Sequence, residues 1–171
     1  MALSTPSRST NPVAEKLAFV VPAYNEEVLI ADTLRAVPPW VSQIIVVDDA
    51  STDSTIEKCL ALNDPRLELI EQKENQGVGA AINRGYVQAI RSGATTAVVI
   101  AGDNQMDMAD LDSLLAPIRN QAADYVKGNR FAHPDVGKMP RLRRWGSRFL
   151  SIWTSLGSRK ILRDTQCGYT A

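Results

Sequence analysis

Five polar runs carry the residues of this chain that could do chemistry: PAYNEE from Pro22, DDAS from Asp48, ENQGVG from Glu74, AGDNQMD from Ala101 and GNR from Gly128. In the fourth run, Asp103, Gln105 and Asp107 follow an apolar stretch. Hard oxygen donors presented on a loop suit Mg2+ or Mn2+ bound to a diphosphate. Such an ion neutralises the charge that develops on a departing diphosphate. Asp107 and Asp110 also suit capping of the helix that follows, an alternative that does not extend to Asp103. Taken singly, Pro22 and Asn25 could end a strand and cap a helix, and Asp49 or Ser51 could cap the next one. Their convergence on one edge is what gives them a chemical meaning.

A second constellation lies near the end of the chain. Arg143 and Ser147 are four residues apart, so on a helix they share one face and can meet a single phosphate. Leu142, Trp145, Phe149, Ile152, Trp153 and Leu156 form an apolar stripe beside them. A basic, aromatic and amphipathic helix of this kind lies at a membrane surface; the alternative is that the stripe is core and the arginines face solvent. His133 is the chain's one histidine, and its neighbours FAHPD read as a turn rather than as a catalytic setting.

The elements that position these residues follow from periodicity. LAFVV at 17–21, QIIVVD at 43–48, LELIE at 67–71, TAVVIAG at 96–102 and DYVKG at 124–128 are short apolar runs of strand type. Between them EEVLIADTLRAV, STIEKCLALN, GAAINRGYVQAIRSG and ADLDSLLAPIRN repeat apolar residues at helical spacing. The alternation predicts parallel strands joined by crossover helices on both faces, hence an open, doubly wound α/β sheet. Ligands bind outside the carboxyl ends of such strands, where the polar runs fall. PAYNE carries no glycine, so the first turn is not a dinucleotide fingerprint; Gly77-Val78-Gly79 is only a partial match, and no GxxxxGK[ST] loop occurs.

Composition narrows the class. With 171 residues, 44% hydrophobic and 22% charged, the chain has the make-up of one globular domain with its own core. Cys59 and Cys167 form no CxxC pair, so neither a disulfide framework nor a zinc site is indicated and a reducing, cytoplasmic compartment is expected. No run approaches the ~20 apolar residues of a membrane helix. Residues 1–16 lack periodicity and read as a disordered arm before a single domain at 17–171. The zero net charge hides an asymmetry: residues 1–126 carry 9 basic and 17 acidic side chains, residues 127–171 carry 10 and 2. The cationic end suggests an anionic partner or a solvated helix face.

VVPAYNEE, IIVVDDASTDST, ENQGVGAAINRGY, AGDNQMD, GNR and DTQCGY together resemble the GT-A fold family 2 glycosyltransferases, within them the dolichyl- or polyprenyl-phosphate sugar synthase branch. The likeness spans residues 17–170. It implies a Rossmann-like nucleotide-diphospho-sugar transferase fold and inverting transfer of a sugar from a GDP- or UDP-sugar to polyprenyl phosphate. A saccharide acceptor, or a non-catalytic nucleotide-sugar-binding fragment, are the alternatives. By resemblance, Pro22, Tyr24, Glu26, Val47, Asp49, Gly102 and Asp103 contact the nucleotide, Asp103 and Gln105 hold Mg2+ or Mn2+, Asp103 and Arg130 are catalytic, and Arg143 with Ser147 receives the acceptor phosphate. Tyr24 also offers an aromatic surface to a base. Ala101 stands where the family's DxD-type motif has its first carboxylate. Family members generally continue past this point, so the resemblance implies a catalytic domain incomplete at its C-terminus. It implies a peripheral place at the inner face of a membrane, and no nucleic-acid partner.

Overall fold

The computed structural model describes residues 15–102, 106–128 and 169–171. Four parallel strands form the sheet: β1 (Leu17–Ala23), β2 (Gln43–Asp48), β3 (Leu67–Glu71) and β4 (Thr96–Val99), in the order β3-β2-β1-β4. They alternate with α1 (Ile30–Arg35), α2 (Thr55–Leu60), α3 (Val78–Arg91) and α4 (Leu111–Arg119), the last preceded by a 3-10 turn at Met108–Asp110. This is the doubly wound sheet that the alternation of periods predicts.

The strands read as unbroken apolar runs because both of their faces are covered. Side chains alternate across a strand, so Leu17, Phe19, Val21, Ile44 and Val46 pack on one face with Ile30, Leu34, Cys59, Leu111, Leu114 and Leu115 of α1, α2 and α4. Ala18, Ile45 and Val47 pack on the other with Ala81 and Ala89 of α3. On that face α3 lies close to the sheet, and Gly85 makes the approach possible. A Cβ there would stand 2.2 Å from Val20 Cγ1.

Chain order then fixes where a ligand can sit. From β1 the chain winds outward to β2 and β3, and then returns to place β4 on the opposite side of β1. Strand order reverses between β1 and β4, and at such a switch point the loops leave to opposite faces and open a crevice.

Some boundaries differ from the sequence reading. β4 ends at Val99, with Ile100 still donating its N–H to Val20 O at 3.0 Å. DYVKG is not a fifth parallel strand: Lys127 forms an isolated antiparallel bridge with Thr170, which also bridges Val99. Its partner is therefore the far end of the chain, which local periodicity does not register. The expected arm of residues 1–16 is shorter, since Lys16 donates its N–H to Thr95 Oγ1 at 2.9 Å and Glu15 pairs with Arg119 at 3.0 Å. The rest of that arm lies outside the described residues.

Candidate functional site

The loop after β1 and the loop after β2 are tied to each other. Asn25 donates its N–H to Ser51 Oγ at 2.9 Å, and its side-chain Oδ1 accepts from Thr52 N–H at 2.8 Å. Glu26 donates its N–H to Thr55 Oγ1 at 2.8 Å, and Glu27 to Asp53 Oδ2 at 3.1 Å, while Ser54 N–H returns a bond to Glu27 Oε2 at 3.1 Å. Two residues without glycine's freedom adopt left-handed backbone to make these ties, Asn25 with φ 54° and Ala50 with φ 62°. The same ties explain why α1 begins at Ile30 rather than at Glu26. The N–H groups of Glu26 and Glu27 are already held across the gap, and Glu26 O accepts from the N–H groups of Leu29 and Ile30.

The consecutive acids at the end of β2 act in opposite directions. Asp48 Oδ2 accepts from Ser51 N–H at 2.9 Å and so shapes the β2–α2 turn, whereas Asp49 turns toward α3. Asp49 Oδ1 accepts from Gln72 Nε2 at 2.7 Å and Gln76 N–H at 2.8 Å, and Oδ2 accepts from Gly77 N–H at 2.8 Å. Both acids are buried. Among the described residues, Asp48 Oδ1 lies buried without a hydrogen-bond partner. Burial, with the Asp48 charge second, pushes the Cys59 thiol up to about 11, so at neutral pH this cysteine is an inert core residue.

On the other side of the crevice, Gly102 follows β4 and sits against the first loop. A Cβ on Gly102 would meet Ile30 Cδ1 at 3.1 Å, Glu26 Cγ at 3.5 Å and Pro22 O at 3.6 Å, and Gly102 O accepts from the Thr33 hydroxyl at 3.0 Å. The start of the AGDNQMD run therefore lies directly beside PAYNE. Asp107, at its other end, caps the 3-10 turn by accepting from Ala109 N–H at 2.8 Å, as the capping alternative expects.

Of the residues singled out from sequence, the structure brings Pro22, Glu26 and Gly102 together at the switch point, with Tyr24 half-exposed on the same loop. Val47 is fully buried, packed among Ala18, Ile45 and Ala81, so its side chain faces the core beneath α3. Asp49 is one strand away with its carboxylate engaged as above. Asp103, Gln105, Arg130, Arg143, Ser147 and His133 lie outside the described residues. Among the described residues, no group of three or more His, Cys, Asp or Glu side chains could hold a metal ion. The donor types of Asp103 and Gln105, a carboxylate and an amide oxygen directly after Gly102, fit a hard divalent cation. Ser51, Asp53, Thr55 and Gln72 were missed as positioning groups. The signal was present in two loops rich in Asn, Asp, Ser and Thr at the ends of adjacent parallel strands.

This crevice sits within a segment, residues 18–170, that matches the family model for glycosyl transferase family 2. The chain belongs to glycosyl transferase family 2. The UDP-N-acetylglucosamine--dolichyl-phosphate N-acetylglucosaminyltransferase of Methanococcus voltae is 31% identical, over 93% of this chain and 70% of that protein. Glycosyltransferase AglD of Haloferax volcanii is also 31% identical, but this chain covers 26% of its length. Glucosyl-3-phosphoglycerate synthase from Mycobacterium tuberculosis, solved with Mn2+, UDP and phosphoglyceric acid, superposes with a TM-score of 0.69 at 19% identity, over 93% of this chain and 56% of that one. The nucleotide-diphospho-sugar transferase fold expected from the resemblance is thus the fold of this family 2 glycosyltransferase. Among the described residues, no helix is long and apolar enough to cross a membrane.

Proposed function

We propose that this family 2 domain transfers a sugar from a UDP-sugar to polyprenyl phosphate with inversion. The observation that carries the reading is the contact at the β1–β4 switch point, where Gly102, the residue before Asp103 in the sequence, lies against Pro22 and Glu26. The Methanococcus relative is named for UDP-N-acetylglucosamine and dolichyl phosphate, and the Mycobacterium structure contains UDP, which support the uridine donor and the lipid-phosphate acceptor.

In this reading an acceptor phosphate oxygen attacks the anomeric carbon, the bond from that carbon to the diphosphate breaks, and the nucleoside diphosphate leaves. A phosphate acceptor is already anionic at neutral pH, so no strong general base is required. Tyr24 presents its ring to the base, and Pro22, Glu26, Asp49 and Gly102 frame the nucleotide. Asp103 and Gln105 hold Mg2+ or Mn2+, which when bound offsets negative charge on the leaving diphosphate. Arg130 adds positive charge there, and Arg143 with Ser147 orients the nucleophile. The cationic end of the chain also suits association with an anionic membrane face.

The test is transfer from UDP-sugars in Mn2+ to a short-chain polyprenyl phosphate, with the neutral polyprenol and a free saccharide run in parallel. Transfer confined to the phosphorylated lipid supports the proposal. Equal use of the neutral lipid, or preference for the saccharide, overturns the acceptor assignment. Binding of UDP-sugar without any transfer favours a nucleotide-sugar-binding fragment.

A further inference from the structure

The buried stripe of α1 consists of Ile30, Thr33 and Leu34, and Thr33 is 2% exposed. A hydroxyl in such a place costs stability unless it is hydrogen-bonded, and valine has the same shape without that requirement. Thr33 Oγ1 lies 3.1 Å from Leu29 O and 3.0 Å from Gly102 O, with one proton to donate. Leu29 O already accepts from Thr33 N–H at 3.0 Å, so a second bond there adds no new tie. The bond to Gly102 joins α1 to a residue 69 positions further along the chain. Its place in the fold gives it a consequence. β4 runs beside β1 as far as Val99, and Ile100 N–H then reaches Val20 O. Two residues later the chain meets α1 instead: Gly102 is buried against Ile30, and Thr33 takes its carbonyl. A peptide unit is planar, so holding the Gly102 C=O also holds the plane through which the chain enters Asp103.

We infer that Thr33 is a positioning residue for the metal-holding loop: by donating to Gly102 O it sets the direction in which the chain leaves for Asp103 and Gln105. This rests on the proposed function, in which those two residues hold Mg2+ or Mn2+, and adds to it the side chain that aims them. The role is indirect. Thr33 sits in the core and acts through a main-chain carbonyl, so removing its hydroxyl should change how well the metal assists nucleotide binding and leave binding without metal as it was.

The experiment measures UDP affinity by calorimetry, with and without Mn2+, for the 171-residue chain and for Thr33→Val, Thr33→Ser and Ile44→Val. Thr33→Val keeps the shape and removes the donor. Thr33→Ser keeps the donor and removes the methyl group. Ile44→Val thins the same core toward the amino end of β2, away from the crevice, and controls for lost packing. Thr33→Val should weaken UDP binding in Mn2+ roughly fivefold and leave the metal-free affinity unchanged. Thr33→Ser should recover most of that loss, and Ile44→Val should keep both wild-type affinities. Three results overturn the inference: wild-type affinity in Mn2+ for Thr33→Val, equal weakness of Thr33→Ser and Thr33→Val, or a loss that is the same with and without metal. If Thr33→Val does not fold, Thr33→Ser is compared with Thr33→Ala, and equal Mn2+ dependence in that pair overturns it. A wild type that binds no UDP, or binds it without regard to Mn2+, fails the proposed function and takes the inference with it. A Mn2+ dependence that survives intact in Thr33→Val sinks the inference alone.

Discussion

The two flanks of the crevice are built differently. On the β1–β2 flank, two loops hold each other through at least five hydrogen bonds between side chains and main chain, among them Asn25 to Ser51, Thr52 to Asn25, Glu26 to Thr55, Glu27 to Asp53 and Ser54 to Glu27. On the β4 flank, among the described residues, Gly102 is held by packing against Ile30 and by a side-chain hydrogen bond from Thr33. The first flank is a frame in which each loop supplies hydrogen-bond partners to the other. The second presents a small residue pressed against that frame, followed by the acidic loop. Much of the PAYNE and DDASTD signature is thus mutual scaffolding.

The largest effect should come from Asp53→Ala, which removes the acceptor for Glu27 N–H, for Thr55 N–H and for the Thr55 hydroxyl at 2.5 Å. A loss of about 2 kcal/mol in denaturant unfolding is expected. Acid should reproduce part of it. Burial tends to raise the Asp53 carboxyl, but hydrogen bonds from the Thr55 hydroxyl, Glu27 N–H and Thr55 N–H outweigh burial and hold it below the usual carboxylate value. A lowered native pKa contributes stability above the unfolded value, and that contribution is lost as pH falls from about 4 through the native one. Asp53→Asn should flatten the stability profile in that window; an unchanged slope would show that Asp53 is not part of the frame.

Asn25→Ala removes the acceptor for Thr52 N–H and puts a β-carbon residue without a polar side chain at a positive φ. About 1.5 kcal/mol should be lost. Asn25→Gly should lose less, because glycine accepts the backbone angle. If the two variants are equally unstable, the hydrogen bond rather than the backbone dominates this corner.

Thr33→Val tests the other flank. It deletes the donor to Gly102 O inside the core and should cost about 1 kcal/mol of stability. Its clearer signature should be a weaker Mn2+ dependence of UDP binding, measured by titration, with affinity in the absence of metal unchanged. Should Thr33→Val lower both affinities alike, the two flanks are one mechanical unit and the contrast between them fails.

The smallest effect has the opposite sign. Ala50 sits at φ 62°, so Ala50→Gly should raise stability by about 0.5 kcal/mol once glycine's extra unfolded-state entropy is set against the relieved strain. A thermal midpoint below that of wild type would mean that the methyl group is packed usefully.

The sheet was largely legible in the sequence because its strands are buried runs whose ends coincide with polar residues. β2 and β3 fall on the expected residues, while β1 runs on to Ala23 and β4 stops at Val99. Lys127 and Thr170 were not legible as a pair, since bridging residues so far apart leave no local period. The gathering of polar residues at the strand carboxyl ends was legible too, because each apolar run stops where a polar one begins. The engagement of Asp49 was not: its partners lie 23 to 28 residues onward, in a loop whose own sequence gives only the hint of Gly77. Asn25 and Ser51 were weighed as caps for their own helices, but each serves the neighbouring loop instead, a choice made by the strand register that sets Ala23 beside Asp48.

The cross-ties between the first two loops also bear on how such a sequence can change over time. A substitution at Asn25 leaves Thr52 N–H without its acceptor, and one at Ser51 leaves Asn25 N–H without its own. A change at either loop therefore falls on a hydrogen-bond partner in the other, so the two stretches, 26 and 27 residues apart along the chain, act as one unit against mutation.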